Sequence, residues 1–269
     1  MCKIISFASG KGGVGKSIIS ANISSVLASR GYKVGIFDAS IGLANLDIVF
    51  NQKIKNNLLN VLNKECDLKD CTVKIDDNLV LVPSESGSEI FNYTPEEIYS
   101  SVIACKEFME NLDYLIIDCG SGIGEYVEIF TKNADEVIVL TIPDPTAITD
   151  AYTLIKTTAL VNEHINLIVN SVENEREGQF IYEKIKKVID NNFQNATDLN
   201  FLGSIDNSRI VSRSLKLRKL FTKINPNSVV SSQIDDIVDN IILEQAYNPL
   251  NKRKKDNFVL FLKRAFKNL

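Results

Sequence analysis

Near the amino end, Ser9 to Ser17 read SGKGGVGKS. The run Gly10-Lys11-Gly12-Gly13-Val14-Gly15-Lys16-Ser17 satisfies G-x-x-x-x-G-K-[ST] at every fixed position. In that pattern, glycines let backbone N–H groups close around phosphate oxygens. The start of the next helix, from Ser17 through Ile18, adds unpaired donors and the positive end of its dipole. Lys16 is placed to reach β- and γ-phosphates, and the Ser17 hydroxyl to hold Mg²⁺. Two carboxylates have the spacing to complete such a site. Asp38 ends the apolar run 33–38 and Asp118 ends the run 114–118. An apolar strand ending in Asp beside a phosphate loop is the arrangement that holds Mg²⁺ through water. Asp38 has a second reading, as the N-cap of a following helix. Asn170, at the end of the run 165–169, offers a polar edge for a base, and the connection starting at Asp206 borders the same place.

Those residues need a scaffold that brings strand ends together. Apolar runs at 2–8, 33–38, 79–82, 114–118, 136–141, 165–169 and 201–205 alternate with helical stretches. Near-continuous apolar strands separated by helices indicate an α/β fold with a mostly parallel sheet flanked by helices on both faces. Ligands then bind at the carboxyl ends of the strands. The helices are expected at 17–30, around 58–62, from a Thr94 cap to 111, from a Thr146 cap to 162, and at 178–191, 208–221 and 228–246. Residues 1–250 make the nucleotide-binding domain, 251–256 a basic linker and 257–269 a terminal helix.

With 269 residues, 45% of them apolar and 24% charged, the chain has the composition of a soluble globular protein. The amino end enters its first strand at once, which leaves no room for a signal or transit peptide. Five cysteines, Cys2, Cys66, Cys71, Cys105 and Cys119, form no C-x-x-C pair and read as reduced thiols. One histidine, His164, gives no basis for a histidine metal cluster and is expected at the surface. The net charge of −4 argues against general nucleic-acid affinity. Its distribution is uneven: seven basic residues and one acid between Lys252 and Leu269 give +6, which leaves −10 on the rest. In the terminal helix Phe258, Phe261, Leu262 and Phe266 fall on one arc, with Lys263, Arg264 and Lys267 opposite. That pattern reads either as a helix docked on the core or as one lying on an anionic membrane surface.

Lys11, a second lysine just inside the loop, makes GKGGVGKS resemble the deviant Walker A motif of the MinD/ParA family of ATPases. DASIGLANLD (Asp38 to Asp47) and PDPTAITDAY (Pro143 to Tyr152) are similar, within that family, to the FlhG group of flagellar-number regulators, also called FleN or YlxH. The resemblance covers nearly the whole chain. It implies a P-loop NTPase fold that binds ATP or ADP with Mg²⁺ through Gly12 to Ser17. It further implies an ATP-bound homodimer in which Lys11 reaches the partner's phosphates. Asp38 is implied in the first switch, Asp118 in the second, and Asn170 at the adenine. The implied setting is cytoplasmic, peripheral on the inner membrane, with flagellar assembly proteins such as the GTPase FlhF as partners and no specific nucleic acid. A MinD-like cell-division regulator shares these mechanics; a ParA-like DNA-partitioning ATPase would need a basic face. Two departures stand out. The first switch normally reads D-A-D, whereas here it is Asp38-Ala39-Ser40, and Ser40 lacks the carboxylate that positions or activates the attacking water. Slow or absent hydrolysis is the expectation. The D-Q-A-x-x-L-R helix that engages FlhF in many FlhG proteins is also missing before the first strand.

Overall fold

The computed structural model describes residues 2–192 and 198–247, the side chains of 192 and 244–247 excepted. The linker 251–256 and the terminal helix 257–269, with its proposed membrane contacts, lie outside the described residues.

Among the described residues, eight strands form one sheet in the order β3-β4-β2-β5-β1-β6-β7-β8. In chain order these are β1 (Lys3–Ser9), β2 (Val34–Ala39), β3 (Val73–Asp76), β4 (Leu79–Val82), β5 (Tyr114–Ser121), β6 (Glu136–Thr141), β7 (His164–Val172) and β8 (Asp198–Asp206). All pairs are parallel except β3 with β4. The strand β3 had no sequence expectation. Its residues Val-Lys-Ile-Asp alternate half-buried and exposed, as an edge strand does, and the run is too short and polar to stand out.

The helices that follow β1 and β2 are α1 (Lys16–Ser29) and α2 (Leu46–Phe50). Between β2 and β3 come α3 (Leu58–Leu62) and α4 (Leu68–Cys71). Between β4 and β5 lie α5 (Pro95–Ile103) and α6 (Lys106–Glu110). The remainder are α7 (Glu125–Lys132), α8 (Pro145–Thr158), α9 (Glu175–Asn192), α10 (Arg209–Leu217), α11 (Phe221–Ile224) and α12 (Val229–Tyr247). Three expectations need correction. The helix expected from Thr94 to 111 is broken after Ile103, although Thr94 does cap it with Glu97 in a reciprocal box. Asp144, not Thr146, caps α8: its carboxylate accepts from the N–H groups of Thr146 and Ala147, with Pro145 in the first turn. The stretch 208–221 ends its helix at Leu217, where Arg218 takes a left-handed conformation, φ 50°.

Strand parity divides the interior into two layers. Ile5, Phe7, Val34, Ile36, Tyr114 and Ile116 pack toward α1 and α12. Phe37, Ala39, Leu115, Ile117, Val137 and Val139 pack toward α5, α7, α8 and α9. Asp38 and Asp118 share the parity of Ile36 and Ile116, so both carboxylates face the α1 layer. Covering both faces is what permits apolar residues at successive positions, and β2 and β6 are buried along their whole length.

The end of β1 packs tightly on α8. A Cβ added at Gly10 would lie 2.4 Å from the backbone carbon and oxygen of Asp150. Backbone cannot move aside as a side-chain tip can, so Gly10→Ala is expected to destabilise the fold by about 1–3 kcal/mol. Chemical denaturation checks this: the midpoint falls while the slope is unchanged.

Candidate nucleotide site

The strand order decides which groups meet the loop. β1 carries the loop at its carboxyl end and lies between β5 and β6. The chain proceeds from β1 to one side through β2 and returns to the other through β6, so the loop sits at a topological switch point. One neighbour, β5, brings Asp118 alongside the loop, and the other, β6, leads into Asp144.

Lys16 opens α1 and is buried at 8% exposure. Its Nζ donates to Oδ1 of Asp118 at 2.8 Å, and Asp118 itself is fully buried. Ser20, one turn further along α1, donates its hydroxyl to the same oxygen at 3.3 Å. Oδ2 of Asp118 is buried without a hydrogen-bond partner. Ser17, half-buried, lies on the first turn of α1 between Lys16 and Ile18, while the Ile18 side chain belongs to the core and leaves only its backbone for a ligand. An orphaned oxygen on a carboxylate beside the first turns of α1 suits a hard divalent cation, which prefers oxygen ligands. The residues present therefore fit Mg²⁺ with a nucleotide phosphate.

Asp38 lies directly opposite Asp118 in the β2–β5 register. It is 1% exposed and accepts three backbone N–H bonds: Ser40 at 3.2 Å to Oδ1, Asn45 and Leu46 at 2.8 Å each to Oδ2. The last two lie at the start of α2, whose N-cap position is Asn45, so Asp38 is not the N-cap residue itself but accepts from that helix start across seven residues of sequence. Burial, and then the charge of Asp118, push the Asp38 carboxyl above the usual carboxylate range despite those three donors. Two facing carboxylates with one lysine between strands and loop form a site short of positive charge, which a divalent cation would supply.

Ser40 follows at the end of β2, 7% exposed. Its hydroxyl donates to the carbonyl of Cys119 at 3.3 Å and, more weakly, to that of Asp118 at 3.5 Å. Ser40 thus ties the segment after β2 to β5.

Lys11 reaches to the start of α8. Its Nζ donates to Oδ1 of Asp144 at 3.0 Å and to the Thr146 hydroxyl at 2.5 Å. Bonds from the Thr146 hydroxyl, the Ala147 N–H and Lys11 hold the Asp144 carboxyl well below the usual carboxylate range. Sequence reading missed Asp144 and Thr146 as partners of Lys11. The signal available was the capping pattern P-D-P-T; the meeting itself depends on β1 and β6 being neighbours. Ser20 was missed for the same kind of reason.

Asn170, 6% exposed, donates from Nδ2 to the carbonyl of Val14 at 2.8 Å. Asp206 is one residue beyond Ile205, the β8 partner of Asn170, and is engaged by Gln233 of α12 at both its N–H and its carboxylate. The loop residues Gly10, Gly12, Gly13, Val14 and Gly15 therefore lie within one neighbourhood that includes Lys16, Ser17, Asp38, Asp118 and Asn170. A separate cavity of about 920 Å³ opens at the opposite end of the strands, beside Val34 and Val80, and none of these residues lines it. His164, half-buried, starts β7 at that same remote end.

Comparison with known proteins shows the family to which the chain belongs. Residues 1–242 match the family model ParA, described as NUBPL iron-transfer P-loop NTPase. The flagellum site-determining protein YlxH of Helicobacter pylori is 40% identical over 268 residues, covering 99% of this chain and 90% of the relative. The antiactivator FleN of Pseudomonas aeruginosa is 31% identical over 234 residues, covering 85% and 82%. Among solved structures, the septum site-determining protein MinD of Pyrococcus horikoshii complexed with Mg-ADP superposes with a TM-score of 0.76, at 22% identity, over 90% of this chain and 96% of that one. The chain belongs to the ParA family of P-loop NTPases, with YlxH and FleN as relatives along most of its length.

Proposed function

We propose that the chain is an ATP-controlled switch that pairs with a second copy of itself, associates with an anionic membrane surface and regulates flagellar number or placement. The observation that carries the pairing is the position of Lys11. Its side chain is 41% exposed, and its ammonium is held by Asp144 and Thr146 at the start of α8 rather than by a group of its own loop. A lysine so placed supports a role on the nucleotide of a facing copy better than a role on its own.

The loop, with Lys16 and Ser17, binds ATP or ADP phosphates and Mg²⁺ in this reading. Lys16 would hold the phosphate oxygens, and Asp118, whose Oδ2 has no hydrogen-bond partner, would help hold Mg²⁺, which would supply the charge the site lacks. Asp38 and Ser40 belong to the first switch, Asn170 and Asp206 to the base pocket. The flagellar role rests on the likeness to YlxH and FleN, and flagellar assembly proteins are the partner class. Membrane association rests on the sequence of 257–269; no helix among the described residues is long and apolar enough to cross a membrane. Four large apolar side chains at about 1.5–3 kcal/mol each if fully buried, less the cost of ordering the helix, give reversible binding for one copy. Two linked copies bind far better, because the second insertion becomes intramolecular.

Sedimentation with anionic vesicles tests this, using no nucleotide, ADP or ATP, with and without residues 257–269. ATP-dependent pelleting that disappears on truncation is the expected result. Pelleting that ignores the nucleotide, or survives truncation, overturns the switch.

A further inference from the structure

We infer that Asn170 is a positioning residue for the phosphate loop: its side-chain amide clasps the Val14 carbonyl and fixes the loop's curvature. Three independent features of the chain converge on that contact. The amide is 94% buried by its 6% exposure, and its Nδ2 donates to Val14 at 2.8 Å across 156 residues of sequence. Gly15 is shaped to receive it. A Cβ there would stand 2.4 Å from Asn170 Nδ2 and push the amide off its present place, and φ at Gly15 is +91°, a conformation that calls for glycine. The β7 backbone is irregular immediately after Asn170. The register with β8 shifts between Asn170 and Val172, and Ser171 between them has φ +58°, a left-handed conformation that serine seldom adopts. Strain of this kind persists only where surrounding structure holds it.

The chemistry of an amide suits the task. Val14 offers a carbonyl, which needs a donor, and asparagine has two N–H donors and one acceptor. With one N–H given to the loop, the amide keeps a second donor and one acceptor. This deepens the nucleotide reading proposed above, yet the clasp is a property of the ligand-free chain and is testable without any nucleotide.

The test uses the full chain as wild type, Asn170→Ala and Asn170→Ser, neither of which can span to Val14. Backbone ¹⁵N relaxation on the ligand-free protein reads the loop directly. Val14 and Gly15 amides are expected near an order parameter of about 0.85 in the wild type and below about 0.6 in both variants. The β2 amides from Val34 to Ala39 serve as the internal reference and stay unchanged. Affinity for Mg-ATP and for Mg-tripolyphosphate, which has no base, is then expected to fall by the same factor, about tenfold, the size of one net hydrogen bond to a loop that must be ordered. Loop order parameters unchanged in both variants overturn the clasp. So does a loss of ATP affinity with tripolyphosphate affinity intact, which would make Asn170 a reader of the base alone. Loosening that is equal in β2 and in the loop also overturns it, as a general loss of packing. If the wild type binds neither ligand, the nucleotide reading fails while the relaxation result still decides the clasp.

Discussion

Lys16→Ala will remove ATP binding, and Lys11→Ala will keep it while preventing the ATP-dependent pairing of two copies. The two lysines lie five residues apart on one loop, but the fold gives them opposite surroundings. Lys16 is buried against Asp118, on the side of β1 where β5 runs. Lys11 is half-exposed against Asp144, on the side where β6 runs. Charge-assisted bonds from Lys16 to phosphate are worth about 1.5–3 kcal/mol each, so losing them weakens ATP by about 100-fold or more. The same change leaves Asp38 and Asp118 buried opposite one another without their cation, and removing one partner of a buried pair costs about 3–5 kcal/mol. Lys16→Ala should therefore also lower the melting temperature, and the binding measurement belongs at low temperature with folding verified by circular dichroism. Lys11→Ala deletes only a surface contact and should leave both the melting temperature and the affinity of one chain for nucleotide nearly unchanged. Gel filtration with ATP then separates the two. A Lys11→Ala protein that still pairs would remove the shared-site reading.

Ser40→Asp is expected to raise ATP turnover by about 10- to 100-fold and, at the same time, to destabilise the ligand-free protein. The Ser40 hydroxyl now donates to two carbonyl oxygens of β5. An aspartate there has no proton to donate, and its charge would join those of Asp38 and Asp118 in a space already rich in carboxylate. Ligand-free stability should fall, with the deficit reduced when Mg²⁺ and ATP are present. The gain in turnover follows from general-base assistance, which typically contributes about 10²–10⁴-fold when the carboxylate is well placed; the lower figure expected here allows for a loop shaped around serine. Turnover in the wild type equal to that of Ser40→Asp would show that hydrolysis proceeds without a carboxylate at this position.

Much of the scaffold was legible because the parallel sheet needs uninterrupted apolar strands, and those strands are conspicuous at 33–38, 114–118 and 136–141. The edge strand β3 was not, since an exposed four-residue strand needs no apolar run. Helix boundaries moved where capping competed. Asp144 outdid Thr146 because its carboxylate can accept from two backbone N–H groups at once, whereas Thr146 spends its hydroxyl on that same carboxylate. Asp38 shows the limit of motif reading from the other side. Its place at a strand end marked it for the metal, while in the ligand-free chain its two oxygens accept from the backbone N–H groups of Ser40, Asn45 and Leu46.

At the loop itself, the order of residues alone determined a great deal. Gly10 to Ser17 fix a phosphate cradle, because the need for glycine, lysine and a hydroxyl at set spacing is local to one turn and one helix start. Only the tertiary structure decided what each charged group in the cradle faces. Strand order puts β5 and β6 on either side of β1, which sends Lys16 to Asp118 and Lys11 to Asp144. Asn170 of β7 meets the Val14 carbonyl across the sheet, where Gly15 leaves room for its amide. None of these pairs is close in sequence, and the hydrogen bonds that join them exist because the strands are laid side by side in that order.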